Sequence, residues 1–214
     1  MLTRLPMSLD PIKAPAKEIA TYITPAPAAV EPVTLRRATL DDAEALALVA
    51  AATFLEAFTW MLPGRDLVVH CAKNHVASVY ASYLAQPNTR CTLAEAGPFA
   101  GNQSPVGYTI LCDPELPTIE TLPTDAELKR IYLLSRFRSA PVIDHPNRRP
   151  AEALLDFAID DARALNRNRL LLGVNDGNHR ALNFYYRNGF AAVGTRTFNV
   201  GTLICSDLIL AKDL

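Results

Sequence analysis

The sequence predicts a mixed α/β domain, and three observations carry that expectation. A buried apolar run, Leu170–Val174, passes through a polar turn into a short helix that should stop at Gly189. Ahead of it lies an apolar stripe at helical spacing, Ala151, Leu154, Leu155, Ala158, Ile159, Ala162 and Leu165, with Pro150 suited to the first turn. Between residues 89 and 134 three short strand-like runs alternate with Pro-, Gly-, Asn- and Ser-rich turns.

In order along the chain, Val33–Arg37 reads as a first strand, and Thr39 has N-cap chemistry with Asp41 and Asp42 in the first helical turn. The stretch from Ala43 to about Trp60 places Leu46, Val49, Phe54 and Phe58 on one face of a core-facing helix that Pro63-Gly64 terminates. A second helix is expected from about Asp66 to Leu84. Thr89–Ala94 and Val106–Leu111 read as a hairpin, and Glu127–Leu134, ELKRIYLL, as a third strand. Alternation leaves open whether Leu128, Arg130 and Tyr132 or the opposite set faces inward. The helix over 150–165, the strand Leu170–Val174, the short helix and two closing strands, Phe190–Thr195 and Leu203–Ala211, complete the pattern.

Composition bounds the function. A chain of 214 residues, 50% hydrophobic and 20% charged, buries one full core and reads as a single domain, residues 33–214, preceded by an appendage. A net charge of −1 argues against nucleic acid and anionic membranes as partners. No apolar run approaches the roughly 20 residues that span a bilayer. Cys71, Cys91, Cys112 and Cys205 are scattered, as suits reduced thiols of a cytoplasmic protein, and their spacing offers no paired metal ligands. Residues 1–32 are rich in Pro and Ala, without the continuous apolar stretch of a secretory signal, and acidic residues count against a transit peptide. They read as an extended arm, with room for a short helix over 17–23, suited to wrap around the domain or a partner chain. That leaves a homodimer open.

The stretch NDGNHRALNFYYRNGF, residues 175–190, resembles the Asn-x-x-Ala-x-x-Phe-Tyr-x-x-x-Gly-Phe signature of the GNAT superfamily of acyl-CoA-dependent N-acyltransferases. Asn178, Ala181, Phe184, Tyr185, Gly189 and Phe190 supply its elements. The order of strands and helices over 33–214 resembles the GNAT fold as well. The resemblance implies a central mixed sheet of about six to seven strands flanked by about four helices. It also implies an acyltransferase moving an acetyl group from acetyl-CoA, as co-substrate and without a metal, to a primary amine by direct attack in a ternary complex. A small-molecule acceptor is the expected partner, because the closing run FNVGTLICSDLILAKDL resembles that of small-molecule-modifying members.

Such a transfer needs a base for an ammonium of pKa near 10.4, donors for the oxyanion and a proton for a thiolate whose thiol has a pKa of about 8.5. By the resemblance, Tyr185 is the general acid, the alternative being a core tyrosine. Glu127 aligns with a carboxylate that acts as base, the alternative being a solvated strand-end charge. Tyr132, Leu133 and Leu134 would offer main-chain groups to the pantetheine arm, with an amide near Leu133 polarising the thioester. Asn178 would contact the cofactor arm or simply start its helix. None of His70, His75, His145 and His179 has a claim from sequence.

The family seats pyrophosphate on a Gln/Arg-x-x-Gly-x-Gly/Ala loop at a helix N-terminus. Setting Ala151 on its last position puts Arg149 where the first glycine is expected, with Arg148 beside it and a loop about eight residues longer than usual. Charge from Arg148 and Arg149 would then replace backbone contacts. A second alignment starts the loop at Arg138. The acceptor is expected between the first two helices, the closing strands and the Pro-rich segment 113–124, with Phe58, Trp60 and Arg65 nearby. A second reading, a catalytically silent GNAT-like domain that binds a ligand or partner, rests on the altered loop.

Overall fold

The structure, a computed structural model, describes residues 30–97, 103–200 and 203–214. Residues 1–29 of the N-terminal arm, with the short helix expected over 17–23, and residues 98–102 of the expected turn lie outside the described residues. The unit considered below is Glu31–Leu214.

Its elements are β1 (Val33–Arg37), α1 (Ala43–Phe58), α2 (Gly64–Asn74), α3 (Ala77–Leu84), β2 (Arg90–Ala96) and β3 (Ser104–Cys112). They are followed by β4 (Asp125–Leu133), α4 (Pro150–Ala164), β5 (Arg169–Asn175), α5 (His179–Arg187), β6 (Ala191–Val200) and β7 (Leu203–Asp213). The seven strands form one mixed sheet in the order β1-β2-β3-β4-β5-β7-β6. Every pairing is antiparallel except β4 with β5.

The two faces bury different cores. On one, the α4 stripe of Leu155, Ala158, Ile159 and Ala162 packs with Leu111, Leu128, Leu170, Leu172 and Leu210, and α5 adds Leu182 and Tyr185. On the other, Leu46, Val49 and Ala50 of α1 and Tyr80 of α3 cover Cys91, Leu93, Tyr108 and Ile110. The entry into α1 is pinned electrostatically. Asp42 accepts from the Thr39 main chain at 2.7 Å and pairs with Arg36, which also holds Glu95. The hydrogen bonds from Arg36 bring the Asp42 carboxyl down to about 2.

The expected second helix is two. It breaks after Asn74, where His75 and Val76 leave helical dihedrals, although no Pro or Gly stands there. The cause is tertiary: the His75 ring is buried, packs 5.1 Å from Phe54 and bonds Tyr80 across 2.8 Å. A straight helix would point it elsewhere. Most strands also run past their expected limits, β6 most of all, because its register with β7 continues from Ala191↔Ala211 to Val200↔Leu203. Gly189 ends α5 at φ +84°, a conformation that side chains disfavour.

Candidate active site

Past Glu127, β4 and β5 part. Their parallel register runs only from Asp125↔Arg169 to Glu127↔Leu171, while β5 stays paired with β7 along its whole length. A β-bulge lies at the same place. Ile110 faces Arg130 and Leu111 faces Leu128, which leaves Lys129 as the extra residue of β4. The bulge breaks the alternation, so neither of the two expected inward sets holds along the strand. Leu128 and Ile131 pack with the α4–α5 core. Tyr132 stacks on Tyr108, and the Arg130 guanidinium lies over the Tyr80 ring, both on the α1–α3 face.

The parting leaves one edge of β4 facing a gap. Leu134 donates its amide to Val106 at 2.9 Å and accepts from Phe137 at 3.0 Å, so its main chain is spent on the fold. Alternation in the antiparallel ladder then turns the Tyr132 main chain toward β3 and those of Ile131 and Leu133 toward the gap. The expected trio reduces to Leu133, and Ile131 joins it.

A cavity of about 710 Å³ opens along this gap, between the end of α1, α2, β4, β5, the start of α5 and the β6–β7 strands. That volume falls in the range of small-molecule sites. Tyr185, Glu127, Tyr132 and Asn178 all line it, whereas Leu133, Leu134, Arg148, Arg149 and Ala151 do not. Phe58 and Trp60 line it as well, Trp60 at 73% exposure, and Arg65 does not. The Pro-rich segment 113–124 also lies outside the lining and reaches the site through Glu115, whose N–H donates to Glu127 Oε2 at 2.7 Å and whose carboxylate accepts from Lys129 Nζ at 2.6 Å. At β5 the wall is Gly173, where an added Cβ would stand 2.5 Å from the Arg196 guanidinium.

Tyr185 is 8% exposed, packed edge-on against Phe184 and Phe190. Its hydroxyl makes no hydrogen bond to another described residue. Burial, and secondarily Tyr132, pushes its phenol well up, so the group holds its proton at neutral pH. Glu127 is 2% exposed, with Lys129 Nζ 4.0 Å from Oε1. It is a buried, braced carboxylate rather than a solvated strand end. Asn178 Oδ1 caps α5 by accepting from the Ala181 amide at 3.1 Å. Arg148 is drawn back along α4 into a two-point pair with Asp156, at 2.6 and 2.5 Å. Arg149 is the N-cap of α4, and its amide bonds Glu152.

Several cavity residues carry no sequence signal of their own. His70 and His75 reach it from α2, with His70 stacked on Phe54 at 4.2 Å and 5°. His75 meets Tyr80, which accepts from Arg130 Nη1 at 2.8 Å. Burial, then Arg130 and His70, brings the His75 imidazole down to about 4. Arg138 and Arg180 line the cavity together, and the Arg138 guanidinium is shifted down by burial and then by Arg180. Only Arg138 was within reach of sequence, through the second alignment of the loop. Arg130 left a weaker trace, as a cation within an apolar strand. No group of metal-binding side chains stands together among the described residues. None of the described helices is long and apolar enough to cross a membrane.

No protein-family profile matches the chain. An uncharacterized N-acetyltransferase of Mycobacterium tuberculosis is 29% identical to it over 175 residues, covering 82% of this chain and 99% of that protein. Among solved structures, the PaiA N-acetyltransferase of Thermoplasma acidophilum in complex with coenzyme A superposes with a TM-score of 0.62 at 18% identity, over 85% of this chain and 99% of that one. A GCN5-related N-acetyltransferase of Rhodopseudomonas palustris superposes with a TM-score of 0.59 at 16% identity, over 86% and 98%. At these identities the structural likeness establishes the fold.

Proposed function

We propose that this protein, a member of the GNAT superfamily and an acyltransferase, moves an acetyl group from acetyl-CoA to a primary amine of a small molecule by direct attack in a ternary complex. The observation that carries the reading is the gap where β4 leaves β5, with Glu127 and Tyr185 lining one cavity along it. An enclosed volume of about 710 Å³ suits a thioester arm and a small acceptor better than a protein surface would.

In this reading Leu133, with Ile131 beside it, offers unpaired main-chain groups to the pantetheine arm, and the Leu133 N–H polarises the thioester carbonyl. Glu127 receives the proton that the attacking amine releases, through a water where the two do not touch. The Glu115 amide and Lys129 hold its carboxylate in place. As the new C–N bond forms and the C–S bond breaks, Tyr185 gives its proton to the departing sulfur. Burial keeps that proton available at neutral pH. Most of the remaining acceleration is placement of two substrates in one cleft.

The pyrophosphate is assigned to Arg138 and Arg180, which line the cavity near the start of α5 and, like Arg130, have no ion pair to a described acid. Arg149 and the Ala151 amide stand at the α4 N-terminus as further candidates, and Arg148 would first have to leave Asp156. Asn178 serves this reading through its capped helix end, with its side-chain amide still open to the cofactor arm.

The test is a calorimetric titration of the full chain with acetyl-CoA and CoA, followed by thiol release with a panel of primary amines. Micromolar binding and amine-dependent thiol release are expected. A folded protein that binds neither ligand sinks the reading.

A further inference from the structure

We infer that the acceptor is an amine that also carries a carboxylate, an amino acid or close analogue, and that Arg130 is the seat of that carboxylate. This rests on the acetyl-transfer reading of the same cavity and adds the chemical class of its acceptor.

The argument begins with the pairing of cations in this fold. Arg36 holds Asp42 and Glu95, Arg37 holds Asp161, Arg148 holds Asp156, Arg167 holds Asp113, Arg169 holds Asp125, and Lys129 holds Glu115. The cavity's own Arg196 holds Asp207 at 2.9 Å. Arg130 is more enclosed than most of these, yet it has no acidic partner among the described residues. Its contacts are aromatic. Nη1 donates to the Tyr80 hydroxyl, and the guanidinium carbon lies 5.4 and 5.6 Å from the Tyr80 and Tyr83 ring centroids. A guanidinium has five N–H donors, and this one spends a single donor on the described residues. Burying a cation without a counter-charge is costly, so a fold that retains one facing a cavity has left the counter-charge to a ligand.

Its neighbours agree in sign. The acids that line the cavity are already engaged: Glu56 by Ser135, Glu127 by the Glu115 amide and Asp207 by Arg196. Beside it, His75 Nδ1 lies 2.8 Å from the Tyr80 hydroxyl, and His75 Nε2 is buried without a hydrogen-bond partner among the described residues, in a residue that is 9% exposed. None of these neighbours supplies Arg130 with a negative charge. The planar fork of Arg130, fixed between two tyrosine rings, suits a carboxylate bound by two parallel hydrogen bonds. Arg130 and the proposed base Glu127 line the same cavity and lie three residues apart on β4, with the bulged Lys129 between them.

The experiment separates this inference from the reading beneath it. CoA-bound full-length protein is titrated with leucine, phenylalanine and 4-aminobutyrate, and with the primary amide of each. At least one acid should bind about tenfold or more tightly than its amide. Arg130→Gln should bring that ratio to about one, and Arg130→Lys should retain part of it. Acetyl-CoA affinity checks that each variant is folded, and the wild-type acid-to-amide ratio decides alone if neither variant is. Equal binding of acids and amides, no binding of either, or a ratio that survives in a folded Arg130→Gln protein overturns the inference. Should CoA itself fail to bind, the acetyl-transfer reading falls, and the same comparison is read on the free protein.

Discussion

Asp156 grips the Arg148 guanidinium at two points, 2.6 and 2.5 Å, and turns it back along α4, whereas Arg138 and Arg180 line the cavity without an ion pair to any described residue. A free guanidinium facing a cleft is better placed to meet phosphate than one already spent on a carboxylate. Replacing Arg138 and Arg180 together by Ala should weaken acetyl-CoA binding by about tenfold or more and flatten its salt dependence. The double change of Arg148 and Arg149 to Ala should cost less. Calorimetry at two salt concentrations ranks the pairs, and the reverse order would return the pyrophosphate to the start of α4.

Tyr185 contributes ring packing through Phe184 and Phe190, and a hydroxyl without a described partner. Tyr185→Phe keeps the first and removes the second. Turnover should fall by about 10²-fold with acetyl-CoA affinity nearly unchanged. Unchanged turnover would make the residue a packing element alone.

Glu127→Gln preserves an oxygen for the Glu115 amide and removes the charge. The turnover number should drop by about 10²-fold with acetyl-CoA affinity nearly unchanged. If turnover is unchanged, the carboxylate is a brace between β4 and the segment before it, and the base lies elsewhere.

His75 carries a prediction about stability against pH. Its imidazole sits at about 4 in the fold, against an ordinary value of 6.5, because burial and then Arg130 and His70 disfavour its charge. Between those values the unfolded chain binds the proton and the folded protein does not. The neutral buried His75 therefore contributes stability above about pH 6.5, and this is lost progressively as the pH falls toward about 4. Asp42 acts lower, its contribution fading from 3.8 toward 2. Melting temperatures should decline for the wild type as the pH falls from 7 to 4, and decline less for His75→Gln. Parallel curves would remove His75 as the cause.

Removing residues 1–30 should leave the unit Glu31–Leu214 folded, with a thermal midpoint within about 3 °C of the full chain. Loss of the cooperative transition would make those residues part of the core.

The fold was legible because local pattern and tertiary packing agree over most of the chain. The α4 stripe is periodic because one face meets the sheet, and Leu170–Val174 is uniformly apolar because β5 is covered on both faces. Gly189 and Asn178 mark the ends of α5 through short-range rules that need no partner. The break at His75 escaped, since nothing local ends a helix there.

The site divided along the same line. Tyr185, Asn178 and Glu127 stand in recognisable local patterns, and all three line the cavity. The sequence by itself determined the strand-and-helix order apart from the break at His75, the ends of α5 and these three positions, because each depends on neighbours a few residues away. Only the tertiary structure decided the facing of Arg130 and Tyr132, the union of His75 with Tyr80, and the tie of Arg148 to Asp156. One bulged residue reverses every side chain beyond it, and contacts between distant elements fix which charges find partners. A one-dimensional pattern holds neither.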